Sequence, residues 1–214
     1  MTLRLNGSNS GFTEVKAPAT AGSNTLILPT SNGSADQYLK NGSTAGTLEF
    51  ASLPANFNEV AAITLNAATH SVTGLPSTTY YIQIAISDFS LSADGNPMFR
   101  IGTSSGFATT GYQAAASYNP SATAGSGPGT QYQAGFGILP SSTNAGGGFT
   151  VFAEFALTSS NHWVYKHMGA YTNNLFMIMG AGQKDLGGTL DRIQFTSDDT
   201  TTLSGSMKVR YWSN

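Results

Sequence analysis

Eleven carboxylates and three histidines are the groups from which acid–base or metal chemistry would have to be assembled. Glu154 stands out, because Phe149, Phe152 and Phe155 surround it in sequence. An apolar setting raises the pKa of a carboxyl group, as a general acid requires. A glycosidase would set a second carboxylate across the scissile bond, and the sequence names no partner. If residues 149–157 form a strand, Glu154 is instead an outward charge, by the alternation of strand faces. His162 and His167 are five residues apart, hence on opposite faces of a strand, and cannot pinch one ion. His70, His162 and His167 therefore read as structural, with a place near a threefold axis as the other option for His167. Asp198-Asp199 and Asp94-Gly95-Asn96 lack the oxygen spacing of a calcium loop and read as turns. Asp94-Gly95 suits a hairpin between Phe89 and Met98. Gly146-Gly147-Gly148 has no Lys-Ser/Thr to close a phosphate cradle. With no cysteine there is no thiol nucleophile or zinc-thiolate site. The expectation is a protein that is not an enzyme and takes no metal or cofactor.

Aromatic residues are the other chemistry on offer. Trp163, Tyr165 and His167 share one strand parity, continued by Tyr171, and aromatics so placed are core first. Phe107, Tyr112, Tyr118 and Tyr132 flank two Gly/Ser-rich stretches, residues 121–130 and 141–148. Long loops on a rigid scaffold are where binding concentrates, so these four are the candidate receptor-binding residues. The competing reading makes the loops spacers without a ligand.

The elements that must position these residues are strands. Residues 80–89 carry Ile82, Ile84 and Ile86 on one face. Residues 149–157 carry Phe149, Val151, Ala153 and Phe155 on one side, with Phe152 and Glu154 on the other. Residues 163–171, 175–182, 190–196 and 207–212 repeat the pattern, bounded by Gly, Ser, Asn and Asp. About eight such runs predict an antiparallel β-sandwich, jelly-roll-like, over residues 56–214. The best helix candidate is short, residues 35–39.

Residues 1–55 differ. Three Asn-Gly-Ser triplets begin at Asn6, Asn32 and Asn41, and Asn-Gly favours tight turns. Residues 38–40 and 47–50, joined through Asn41-Gly42, read as a hairpin. The segment is sparse in large apolar residues and cannot bury enough surface alone, so it should fold on copies of itself or on a docking partner. The boundary falls within residues 52–58.

Charged residues are only 9% of the chain, against ~25% in an average soluble protein, and the net charge is −2. A 40% hydrophobic share argues against disorder. The cations are scattered, so no patch for a nucleic-acid backbone is expected. Only Lys208 and Arg210 share a strand face. No run of ~20 apolar residues exists to span a membrane. The first six residues hold no apolar core of signal-peptide length, which points to release by lysis inside an assembled particle.

Part of the chain looks familiar. Gly11-Phe-Thr-Glu-Val-Lys-Ala-Pro-Ala runs on through Thr25-Leu-Ile-Leu-Pro29, then Asn32-Gly-Ser-Ala-Asp-Gln-Tyr-Leu39, to Leu48-Glu-Phe50. This resembles the leader of tail-fibre and other structural proteins of marine phages, cyanophages especially. Ile101-Gly-Thr-Ser-Ser-Gly-Phe107, Gly135-Phe-Gly-Ile138, Gly188-Thr-Leu-Asp-Arg-Ile-Gln-Phe195 and Leu203-Ser-Gly-Ser-Met-Lys-Val209 resemble a phage fibre-tip domain. The resemblance implies a virion protein, on the tail or capsid surface, forming a homotrimer. Residues 1–55 would meet other virion proteins, and a distal sandwich would meet a host-surface glycan or protein. The short chain has no shaft repeat, which keeps a capsid decoration or tail connector as the alternative. A polysaccharide depolymerase is a more remote one.

Overall fold

The computed structural model describes residues 3–6, 8–15, 18–20, 22–23, 25–35, 37–52, 57–119, 129–139, 145–171, 176–197 and 201–214. Residues 121–128 and 141–144 of the two Gly/Ser-rich stretches, residues 53–56 of the boundary, and Asp198-Asp199 lie outside them. Among the described residues every regular element is a strand and there is no helix. The short helix expected at residues 35–39 is replaced by a strand that begins at Gln37. Tyr38 and Leu39 gain ladder partners there, which a five-residue helix could not match.

The chain divides into two compact units, Met1–Pro54 and Ala55–Asn214. The first holds two antiparallel hairpins. In one, β1 (Leu3–Asn6) pairs β2 (Phe12–Val15). In the other, β3 (Gln37–Asn41) pairs β4 (Leu48–Ser52), with Lys40 and Glu49 opposite each other and 3.0 Å apart. Asn41 ends its strand and Gly42 donates to Thr47 O at 2.9 Å, closing the loop where the Asn-Gly signal put it.

The second unit is a sandwich. Its strands are β5 (Asn58–Glu59), β6 (Ile63–Leu65), β7 (Thr69–Thr73), β8 (Thr79–Leu91), β9 (Pro97–Thr103), β10 (Gly106–Phe107) and β11 (Gln113–Asn119). They continue with β12 (Thr130–Tyr132), β13 (Phe136–Gly137), β14 (Phe149–Ser159), β15 (His162–Tyr171), β16 (Phe176–Asp185), β17 (Arg192–Ser197) and β18 (Leu203–Ser213). A nine-stranded sheet runs β12-β11-β16-β15-β14-β8-β18-β5, with β6 also on β18. A five-stranded sheet runs β10-β9-β17-β7, with β13 on β9. All pairings between these strands are antiparallel, and four of them are nested: β8 with β18, β9 with β17, β11 with β16, and β14 with β15. Such nesting is a long hairpin rolled over on itself, which is how a jelly roll is made.

Strand alternation sends one side chain in two to the space between the sheets. From the large sheet come Ile82, Ile84, Ile86, Phe149, Val151, Phe155, Trp163 and Tyr165, and from the small one Phe99, Ile101, Ile193 and Phe195. They form one continuous cluster. Phe99 meets Phe155 edge-on at 5.5 Å, and Phe136 stacks on Tyr165 at 4.6 Å, the offset and T-shaped geometries that aromatic quadrupoles favour. A side chain of this size contributes ~1.5–3 kcal/mol when fully buried.

The Asp94-Gly95 turn is not the hairpin tip expected of it. It carries the chain from β8 in the large sheet to β9 in the small one, and the two strands are not ladder partners. Asp94 Oδ1 instead accepts from Ala145 N at 3.0 Å and fixes the crossing. On the far side of β8, a bulge in the β8–β18 ladder falls where Asp88 has φ +51° and Gly205 φ +123°. A Cβ on Gly205 would lie 2.7 Å from Ser87 O, so only glycine fits there.

Candidate binding face

The four aromatics singled out by the loops do not form one surface. The ring of Tyr112 lies in the core, 1% exposed, edge-on to Phe136 at 4.9 Å. Its hydroxyl accepts from Ile101 N at 3.0 Å and donates to Ala108 O at 3.0 Å. Tyr132 is also buried, and its hydroxyl donates to Leu139 O. Their hydroxyls are engaged within the sandwich, and both residues also line a depression described below. Phe107 is half-buried in the small sheet, with the Arg192 guanidinium 5.7 Å from its ring centre. Tyr118 is half-buried at the end of β11 and packs on Phe176 at 5.1 Å.

His70 and His167 are engaged within the fold. His70 Nε2 accepts from Asn66 N and Ala67 N at 3.1 and 3.2 Å, tying the turn before β7. His167 is buried beside Tyr165 and lines no surface. Among the described residues no group of three or more His, Asp or Glu side chains is placed to hold a metal ion.

A different surface collects the unexplained side chains: the outward face of the nine-stranded sheet. Cross-strand register sorts it into rows. The first row reads Glu59, Arg210, Gln83, Glu154, Lys166, Ala181, Ala115, Gln131, one residue from each of eight neighbouring strands. A second row, two residues along each strand, reads Trp212, Tyr81, Ala156, Val164, Gln183, Gln113. On the other flank Ala85, Phe152, Met168 and Met179 form an apolar row. Phe152 is 37% and Met168 60% exposed.

Electrostatics bind the first row together. Glu154 accepts the Tyr81 hydroxyl and lies 2.7 Å from Lys166 Nζ. The Lys166 ammonium, and after it the Tyr81 hydroxyl, hold the Glu154 carboxyl below its usual range. Glu154 is the outward strand charge that alternation predicts, not the apolar acid its phenylalanine neighbours would make: Phe149 and Phe155 point into the core while Glu154 points out, where a cation meets it. Tyr81 moves the opposite way, to about 12, through burial and then its carboxylate partner. Glu59 lies 2.7 Å from Lys208 and 2.8 Å from Arg210, and those two cations lower its pKa.

Two depressions open on this face. One, about 270 Å³, lies among Tyr81, Glu154, Ala156, Val164 and Lys166. The other, about 370 Å³, is lined by Gln113, Gln131 and Gln133 with Ala114, Ala115 and Ala181, and by Tyr112 and Tyr132 of the original candidates. Trp212 stands at the near end, 5.0 Å from Tyr81 and 5.3 Å from Phe57.

The chain matches no protein-family model and none of the curated proteins. The outward face is therefore read on its chemistry alone. It offers paired charges, amides and half-exposed aromatic rings, a set suited to holding a polar partner. Sequence parity put Glu154 and Phe152 on that side. The rows themselves depend on which strands are neighbours, and nothing in local spacing records that.

Proposed function

We propose that this protein is a non-catalytic virion component of a phage, a tail-fibre part that attaches to a host surface through its sandwich and assembles as a homotrimer through residues 1–54. The observation that carries the reading is the contrast between the two units. Residues 57–214 enclose a full aromatic core. In residues 1–54 no described side chain is buried, and Leu5, Phe12, Val15, Leu26, Ile27, Leu28, Leu39 and Phe50 stand exposed. Isolated two-stranded hairpins are marginal in water. An apolar surface of this kind marks an association site, with copies of the chain or with neighbouring virion proteins as its cover. The resemblance of residues 11–50 to marine-phage leaders supports the same role.

A binding role rather than hydrolysis is supported by Glu154. Lys166 favours its ionised form, so it is a poor proton donor for glycoside cleavage. A capsid decoration or tail connector is the second reading, favoured by the apolar side chains that residues 1–54 leave exposed for a neighbouring virion protein.

The deciding experiment labels the purified full-length protein and incubates it with a panel of marine bacteria, cyanobacteria included, with its solution mass recorded alongside. A trimer that labels one host specifically supports attachment. A folded oligomer that labels none, and that localises to the capsid in particles, moves the role to decoration.

A further inference from the structure

We infer that the outward face of the nine-stranded sheet is a binding strip for a linear, uncharged polysaccharide, which runs across the strands from Trp212 to Gln131. The inference rests on the attachment reading and names its ligand class.

Three observations carry it. The first is extent. The row from Glu59 to Gln131 crosses eight strands, roughly 34 Å along the sheet at ~4.8 Å per strand. Both depressions lie on this row and its neighbour. A compact ligand would fill one of them, whereas an extended polymer spans both.

The second is lining. A pyranose polymer has hydroxyl edges and apolar C–H faces. Amides suit the edges, since each carries donors and an acceptor for paired hydroxyls. Gln83, Gln113, Gln131, Gln133 and Gln183 supply five of them on this face. Gln183 Nε2 donates to Gln113 Oε1 at 2.6 Å, which leaves the Gln113 nitrogen to donate and the Gln183 oxygen to accept. Rings suit the C–H faces. Trp212 and Tyr81 stand on one flank of the polar row, and Phe152 and Met168 on the other.

The third is charge. Lys166 is paired with Glu154, while Arg210 and Lys208 share Glu59. These residues are three cations against two carboxylates, every cation held in an ion pair. A polyanion such as nucleic acid or an acidic glycan, which needs several unpaired cations in a line, would meet little attraction there. A neutral chain loses nothing by the balance, and several weak contacts along it add up.

The test is affinity electrophoresis of the full-length protein through gels containing dextran, laminarin, galactomannan or agarose, with alginate and heparin as anionic probes. At least one neutral polymer should retard the protein, equally at 50 and 500 mM salt. Trp212→Ala, and Gln113→Ala with Gln183→Ala, should weaken that retardation about tenfold or more, with solution mass unchanged and a cooperative thermal transition retained. Retardation by no neutral polymer, retardation only by alginate or heparin and lost in salt, or variants that change the mass instead, would overturn the strip. The last outcome would make this face an interface between copies. Cell labelling separates the two readings. If wild type labels a host and the glutamine variants label it equally, the strip fails and attachment stands. If wild type labels no cell yet binds a neutral polymer, attachment fails and the strip stands.

Discussion

The Tyr165 hydroxyl lies 2.9 Å from His167 Nδ1, while His167 Nε2 lies 3.0 Å from the carbonyl oxygen of Ile138. A carbonyl only accepts, so Nε2 carries the proton and Nδ1 accepts from Tyr165. The ring is held neutral. Burial pushes its pKa down from 6.5 to about 4, with the Ile138 carbonyl pulling weakly the other way. Between these two values the unfolded chain takes up a proton that the folded one refuses. Stability from this group is therefore whole above pH 6.5 and is lost as pH falls towards 4. The loss amounts to about 3 kcal/mol. Urea unfolding of wild type and His167→Gln at pH 7.5 and 4.5 should show the extra acid sensitivity in wild type alone. Equal pH slopes would mean that the ring is not held neutral.

The same ring depends on the glycine across from it. His167 and Gly180 are ladder partners on β15 and β16, and a Cβ on Gly180 would run into the imidazole and sit 2.6 Å from Ala115 O. Backbone cannot move aside as a flexible side chain does. Gly180→Ala should cost about 1–3 kcal/mol by overpacking, seen as a melting temperature several degrees lower. Ala181→Ser, one residue on and outward, should leave it unchanged.

Tyr112 gives a prediction that separates support from recognition. Phenylalanine there keeps the packing on Phe136 but leaves Ile101 N and Ala108 O without the hydroxyl, while Ile101 O keeps its bond from Ala108 N. Orphaned buried polar groups cost about 1–3 kcal/mol. Tyr112→Phe should lower the urea midpoint by a matching amount while the surviving folded protein binds its target as wild type does. Binding lost at full stability would show that the residue meets the partner directly.

Why parity placed the strand residues while loop position did not place the rings of these tyrosines is a matter of range. Alternation is a property of one chain segment, so the inward Ile82, Ile84 and Ile86 and the outward Phe152 and Glu154 could be read directly. The inward placing of Trp163, Tyr165 and His167 followed from the same rule. Strands of two or three residues, such as β5, β10 and β13, have no period to detect. Tyr112 and Tyr132 sit beside glycine-rich loops, yet long-range pairing folds their rings beneath Phe136 and Leu139. The outward rows were illegible for the same reason, since Gln83 meets Glu154 and Arg210 only through strands 71 and 127 residues further along. Asp94-Gly95 shows the limit from the other side. Its turn chemistry was right, but a turn can join two sheets as readily as two paired strands.

Residues 1–54 carry the last prediction. Leu28 is 66% and Leu39 45% exposed, and each lies within or beside the short ladders that the segment forms. Neither contributes to a core in this chain, so replacing them cannot unfold the sandwich. If their place is against copies of the chain, Leu28→Asn with Leu39→Asn removes apolar surface from the assembly and leaves each sandwich intact. Sedimentation should show the trimer shifting towards monomer at micromolar concentration, a loss of about 1–3 kcal/mol of association per buried leucine. Near-UV circular dichroism, which reports the buried Trp163, Tyr112 and Tyr165, should not change. Host labelling should weaken far more than the affinity of a single sandwich, because multivalent attachment multiplies weak sites by copy number. An unchanged mass would mean that copies of the chain do not cover these leucines, and the proposed trimer would have to be sought elsewhere in the chain.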